Sequence, residues 1–254
     1  MAKGRKIIVA NWKMNPHTLQ EASRLYDAVK KAAGRRTTAV VCPPFVYLST
    51  FQKRGRGKVT LGAQDVSSEE GGAHTGEVSA AMLKNLGVSY CLVGHSERRA
   101  QGETNDIVCR KLHGALAAGL TVILCIGERE RDREVEYLSF LEEELRSALT
   151  GLQSKEVRRL IVAYEPLWAI GKTASDAMKP EDVHETVLYI RKLLTGLFDR
   201  KTAEAVPVLY GGSVELRNVM ELLERGEANG FLVGHASLDA KQFAEMLALV
   251  DHAK

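Results

Sequence analysis

Short apolar runs recur along the chain, separated by stretches too long for hairpin turns. Eight of them read as strands: 6–10, 37–42, 58–63, 89–93, 121–125, 158–163, 206–209 and 230–233. Most are apolar at every position, as strands covered on both faces are. Between them apolar residues fall at helical spacing. Leu19, Ala22, Tyr26 and Val29 mark a helix to about Ala33, opened by Thr18 with Glu21 as a capping box. Ser79 caps a helix holding Met82, Leu83 and Leu86. Further helices are expected at 46–53, 104–118, 132–149, 180–197, 215–224 and 239–250. One irregular stretch, 64–78, is long enough to be functional or disordered.

Eight strands alternating with helices in 254 residues predict an α/β fold, a single (β/α)8 barrel with a parallel eight-stranded core. No Pro/Ser-rich linker divides the chain, so one domain, 1–254, is expected. A doubly wound open sheet is the alternative, but no GxGxxG follows a strand. Gly171-Lys172-Thr173 resembles the end of a phosphate loop, yet Pro166 stands where that motif needs Gly.

Composition narrows the function. A net charge of +3 argues against a dedicated nucleic-acid binder, though not against a small anionic ligand. The basic run 53–58 reads as a solvated loop at the strand N-termini, away from any barrel site. No apolar run approaches a membrane span, and Ile7-Ile8-Val9-Ala10 is too short for a signal-peptide core. Cys42, Cys91, Cys109 and Cys125 form no CxxC pair, which fits buried thiols in a reducing, cytoplasmic setting.

A barrel gathers its strand C-termini on one face, where its chemistry sits. The polar residues there are Asn11 and Lys13, His95 and Glu97, Glu165, Gly211-Gly212-Ser213, and Gly234-His235. Glu165 ends the sixth strand, and Pro166 stops the ladder behind it. The apolar segment to Gly171 then has the character of a lid. Alone, each residue has an ordinary reading: a loop carboxylate, a solvated lysine, a helix-cap histidine, turn glycines. Together they supply a base, an imidazole, a cation and two Gly-bearing helix starts suited to phosphate. The sequence offers no HExxH, Cys cluster or Asp-rich loop, so no metal and no cofactor are expected. Proton abstraction beside the carbonyl of a small phosphorylated compound follows. Glu165 acts as base, and Lys13 and His95 stabilise the oxyanion.

Nearly end to end, the chain resembles the triosephosphate isomerases. The motifs that carry this are Asn11-Trp12-Lys13-Met14-Asn15, Gly62-Ala63-Gln64-Asp65, Thr75-Gly76-Glu77, Gly94-His95-Ser96-Glu97-Arg98-Arg99, Cys125-Ile126-Gly127-Glu128, residues 164–171, Tyr210-Gly211-Gly212-Ser213 and Leu232-Val233-Gly234. The resemblance implies interconversion of dihydroxyacetone phosphate and glyceraldehyde 3-phosphate, in glycolysis and gluconeogenesis. It implies substrate contacts from Asn11 and Lys13, with Glu97 beside Lys13. It implies phosphate held by backbone N–H groups of Gly171, Ser213, Gly234 and His235, under a lid at 166–174. It further implies a homodimer whose 65–78 loop, with Thr75, reaches the partner's site.

Three departures stand out. Two residues are missing after Gly171, at the far hinge of the lid. His235 replaces the family's second Gly after strand eight, where an ordinary φ is expected. Arg99-Ala100-Gln101-Gly102-Glu103 is one residue short and lacks the family's Phe. The rival readings are another phosphate-binding barrel, a phosphosugar epimerase or an aldolase, and a non-enzymatic scaffold. Metal ligands or acidic pairs, a lysine inside a strand, and loss of Lys13, His95 or Glu165 are their respective signatures. None of them is present in the sequence.

Overall fold

The computed structural model describes residues 5–54, 57–131, 136–171 and 178–253. Eight parallel strands close into a barrel in sequence order. They are β1 (Lys6–Asn11), β2 (Thr37–Cys42), β3 (Val59–Ala63), β4 (Tyr90–Val93), β5 (Thr121–Ile126), β6 (Leu160–Tyr164), β7 (Val208–Tyr210) and β8 (Gly230–Val233). The helices are α1 (Leu19–Ala32), α2 (Phe45–Gln52), α3 (Ala80–Asn85), α4 (Ser96–Ala100), α5 (Asn105–Ala117), α6 (Glu136–Ala148), α7 (Pro180–Leu197), α8 (Arg200–Ala205), α9 (Val219–Arg225) and α10 (Ala240–His252).

Alternation along each strand divides the core in two. Ile7, Val9, Val40, Cys42, Leu92, Ile123, Cys125, Ile161, Ala163, Leu209 and Leu232 pack together inside the barrel. Their neighbours Ile8, Ala10, Val122, Leu124, Val162, Tyr164 and Val233 pack outward against the helices. Both faces are apolar, which explains the unbroken runs in the sequence. Cys42 and Cys125 fill inner positions as small hydrophobes, and all four cysteines are free.

Helix starts follow their local signals. Thr18 and Glu21 form the capping box of α1, Ser79 caps α3, and Pro180 opens α7. The start of α9 departs from expectation. Asn218 takes the Glu215 N–H at 2.8 Å and gives its own amide to Ser213 O at 3.0 Å. That side chain satisfies the turn, so the helix begins at Val219 and not at Glu215. The short helix α8 was not expected; Asp199 caps it by accepting the Thr202 N–H at 2.9 Å. The expected start of α6 at Asp132 and the departure after Gly171 both fall outside the described residues.

Trp12, wholly buried, sets the end of β1. Its ring meets Phe51 edge-on at 5.9 Å, and Phe51 stacks on Tyr26 at 4.4 Å. The seam between the first and last strands depends on Gly230. Its φ is +149°, and a Cβ there would overlap the backbone of Ile7. Gly230→Ala is expected to cost about 3 kcal/mol or more and to lower Tm by about 6–12 °C in a thermal melt. An unchanged Tm would show that the seam relaxes freely.

Candidate active site

The inward parity of the strands continues past their ends. After Ile7 and Val9 comes Asn11; after Ile161 and Ala163 comes Glu165; after Leu209 comes Gly211. Each therefore points over the barrel mouth and away from the helices. There a cavity of about 1040 Å³ is lined by Asn11, Lys13, His95, Glu165, Gly171, Ser213, Gly234 and His235, among others. The structure thus gathers every strand-end residue singled out in the sequence except Glu97, and leaves the loop residue Thr75 outside as well. Glu97 stands behind Lys13, its Oε1 2.7 Å from Nζ. Thr75 lies exposed on the irregular loop, which holds no helix or strand.

His95 caps α4. Its Nδ1 accepts the Glu97 N–H at 3.2 Å, so the ring proton sits on Nε2. Nε2 lies 3.3 Å from Glu165 Oε1 and 3.2 Å from Asn11 Nδ2. The Asn11 Oδ1 is committed to the Lys13 N–H at 3.1 Å, which leaves Nδ2 as a second donor beside the first. Two donors abut, and one of them also faces the Glu165 carboxylate. That is a seat for an oxygen atom carrying negative charge.

Glu165 is 3% exposed. Its Oε2 receives a long 3.4 Å contact from Ser96 N. Gly211 lies beneath it, and a Cβ there would crowd Glu165 Cγ. The Glu165 backbone is held more firmly. Its N–H donates to Ile126 O at 2.8 Å, and its carbonyl rests on Gly127, where a Cβ would overlap it. Glu165 is therefore fixed at its root. Beneath it Cys125 keeps its proton: burial first, then the Glu165 charge, pushes that thiol well up.

Lys13 has a φ of +51°, in the left-handed region. Such a backbone costs a non-Gly residue about 1–2 kcal/mol. Gln64 holds it there, donating to Lys13 O at 2.7 Å and Cys42 O at 2.9 Å. Gly234 lies beside the lysine, where a Cβ would make ordinary contact with Lys13 Cε at 3.4 Å. His235 has no left-handed backbone, as expected, and opens a single 3-10 turn, His235–Leu238. In the shortened segment after Arg99, α4 ends at Ala100 and Gly102 turns the chain with a φ of +101°.

Sequence reasoning quoted Gln64 and Glu128 within motifs but gave them no work. Glu128 is 1% exposed and anchors the near end of the lid segment. Its carboxylate accepts from Tyr164 OH at 2.8 Å and from Trp168 Nε1 at 2.7 Å, while its carbonyl takes the Leu167 N–H at 2.9 Å. Its place directly after the Gly127 turn was the signal available.

The triosephosphate isomerase family profile matches residues 6–250. A triosephosphate isomerase of Moorella thermoacetica is 42% identical over 249 residues, 96% of this chain and 98% of that protein. One of Colwellia psychrerythraea is 41% identical over 246 residues, covering 93% and 94%. One of Thermoanaerobacter sp. is 40% identical over 249 residues, covering 96% and 98%. The family's barrel, the order of its motifs and the site geometry coincide in one polypeptide: the chain belongs to the triosephosphate isomerase family.

Proposed function

We propose that this single-domain protein interconverts dihydroxyacetone phosphate and D-glyceraldehyde 3-phosphate, with Glu165 as the base. Glu165 takes a proton from the carbon beside the carbonyl, and the released electron pair moves onto the carbonyl oxygen. The enediolate oxygen accepts hydrogen bonds from His95 Nε2 and Asn11 Nδ2, with the Lys13 ammonium nearby. His95 Nε2 gives its proton to that oxygen and takes the proton of the neighbouring hydroxyl, while Glu165 returns the first proton to the former carbonyl carbon. The donor pair of His95 Nε2 and Asn11 Nδ2, with Glu165 Oε1 3.3 Å from the histidine nitrogen, carries this reading. Glu97 holds Lys13 from behind. Across the same cavity, backbone N–H groups of Gly171, Ser213, Gly234 and His235 would take the phosphate. The lid segment covers the site and excludes water while the enediolate exists.

The same reading makes the protein a cytoplasmic homodimer acting in glycolysis and gluconeogenesis. No helix among the described residues is long and apolar enough to cross a membrane. Residues 71–77 of the irregular loop are all exposed. Met14, Phe45, Val46 and Met82 add exposed apolar surface on the first βα units. A partner copy covering that surface would receive Thr75 near its Asn11 and Lys13.

Three measurements test this. Purified protein assayed without added metal is expected to interconvert the two triose phosphates, and Glu165→Ala to lose about 10²–10⁴-fold in kcat. Absent turnover in the wild type, or equal turnover in both, rejects the assignment. Gly127→Ala pushes on the backbone of the base and is expected to lower kcat about 10²-fold while the protein stays folded. An unaltered kcat would mean that Gly127 does not set the base. Sedimentation at micromolar concentration should give twice the 27.9 kDa of one chain; a monomer there would remove the partner loop from the site.

A further inference from the structure

Glu144 lies on α6, outside the cavity lining, yet only 2% of it is exposed. Its carboxylate is shared between two strand exits. Oε2 accepts the Gly127 N–H at 2.9 Å, at the end of β5. Oε1 lies 3.2 Å from Arg99 Nε on α4. That guanidinium also donates from Nε to Gly94 O at 2.9 Å and from Nη1 to Asn105 Oδ1 at 2.7 Å.

Each grip is one step from a reacting group. Gly127 is the surface on which the Glu165 carbonyl rests, and Ile126 before it takes the Glu165 N–H. Gly94 immediately precedes His95. It is left-handed at φ +73°, and a Cβ on it would crowd Cys125 O and Arg99 Nη2 at 3.1 and 3.2 Å. The 3.3 Å separation of His95 Nε2 from Glu165 Oε1 is thus the gap between two turns that one buried carboxylate holds from behind.

We propose that Glu144 is a positioning residue for the reaction, holding His95 and Glu165 at their working distance through Arg99 and Gly127. It touches neither substrate nor reacting atoms. The inference rests on the isomerase reading of the site and adds to it a residue outside the cavity.

The charge state of the clamp follows from its surroundings. Burial pushes the Glu144 carboxyl up to about 7. The Arg99 charge and the Gly127 N–H pull it down, while Glu165 and Glu128 push it up. The charged groups facing it are therefore Arg99 from α4, Glu128 at the exit of β5 and Glu165 at the exit of β6. Above about 7 the carboxylate is ionised and grips Arg99 as an ion pair. As pH falls through that value it takes a proton and the ion pair is lost, leaving the Arg99 guanidinium without its counter-charge.

Glu144→Gln mimics the protonated form at every pH, so kcat of wild type and E144Q is compared across pH. At about pH 9 the wild type should exceed E144Q about tenfold in kcat, with KM within about twofold. By about pH 5.5 the two kcat values should converge, because the wild-type side chain is then neutral as well. Titrations that the two proteins share cancel in the ratio. A constant ratio would mark a merely structural role, and a ratio of one throughout would mark no role; both overturn the proposal. The wild type alone supplies a second arm: a flat kcat between about pH 5.5 and pH 9 also overturns it, even if E144Q does not fold. Absent wild-type turnover overturns the functional reading and this one with it, whereas a flat ratio overturns this one alone.

Discussion

The period of two along a β-strand governs this molecule. Closing eight parallel strands into a ring leaves each with an inner and an outer face, and both must be apolar. The alternation does not stop where the ladder stops. One step past the last inner apolar residue, the chain is still aimed at the barrel axis. Asn11, Glu165 and Gly211 occupy that step on three different strands. The fold thus brings together groups that lie as much as 200 residues apart in the chain. A one-residue slip of β6 would turn Glu165 toward the helices and bring Tyr164 over the site.

On that frame, local detail is supplied by residues that make room and residues that hold. Gly127 and Gly211 leave space for the Glu165 carbonyl and the Glu165 side chain. Gln64, Glu128 and Glu144 hold the Lys13 backbone, the Trp168 indole and the Gly127 turn. All three reach backbone or buried partners from outside the reacting centre. The strained backbone of Lys13 persists because Gln64 takes up its carbonyl and Asn11 its N–H.

Much of this was legible in the sequence. The strands announced themselves as apolar runs, and the caps at Thr18, Ser79 and Pro180 marked helix starts by chemistry acting over three or four residues. The strand-end residues followed once the barrel was recognised. What stayed hidden depends on distant contacts. Glu144 sits among Glu142 and Glu143 in a charged amphipathic helix, and nothing local separates it from these less buried neighbours. Its burial is decided by Gly127 and Arg99, seventeen and forty-five residues away. The late start of α9 was hidden for a related reason. Asn218 can cap or continue a helix, and its contact with Ser213 decides the matter.

The chain has two tryptophans, and they stand in contrasting surroundings. Trp12 is sealed against Phe51, between Asn11 and Lys13, in an environment fixed by the barrel core. Trp168 is half-buried in the lid segment, its indole N–H held by a carboxylate. An indole bonded to a buried anion emits differently from one packed in hydrocarbon and responds when that bond is exchanged. The emission spectrum of the unlabelled protein therefore has one component that follows unfolding of the barrel and another that follows any exchange of the Trp168–Glu128 bond. The two events can be separated optically without adding a probe.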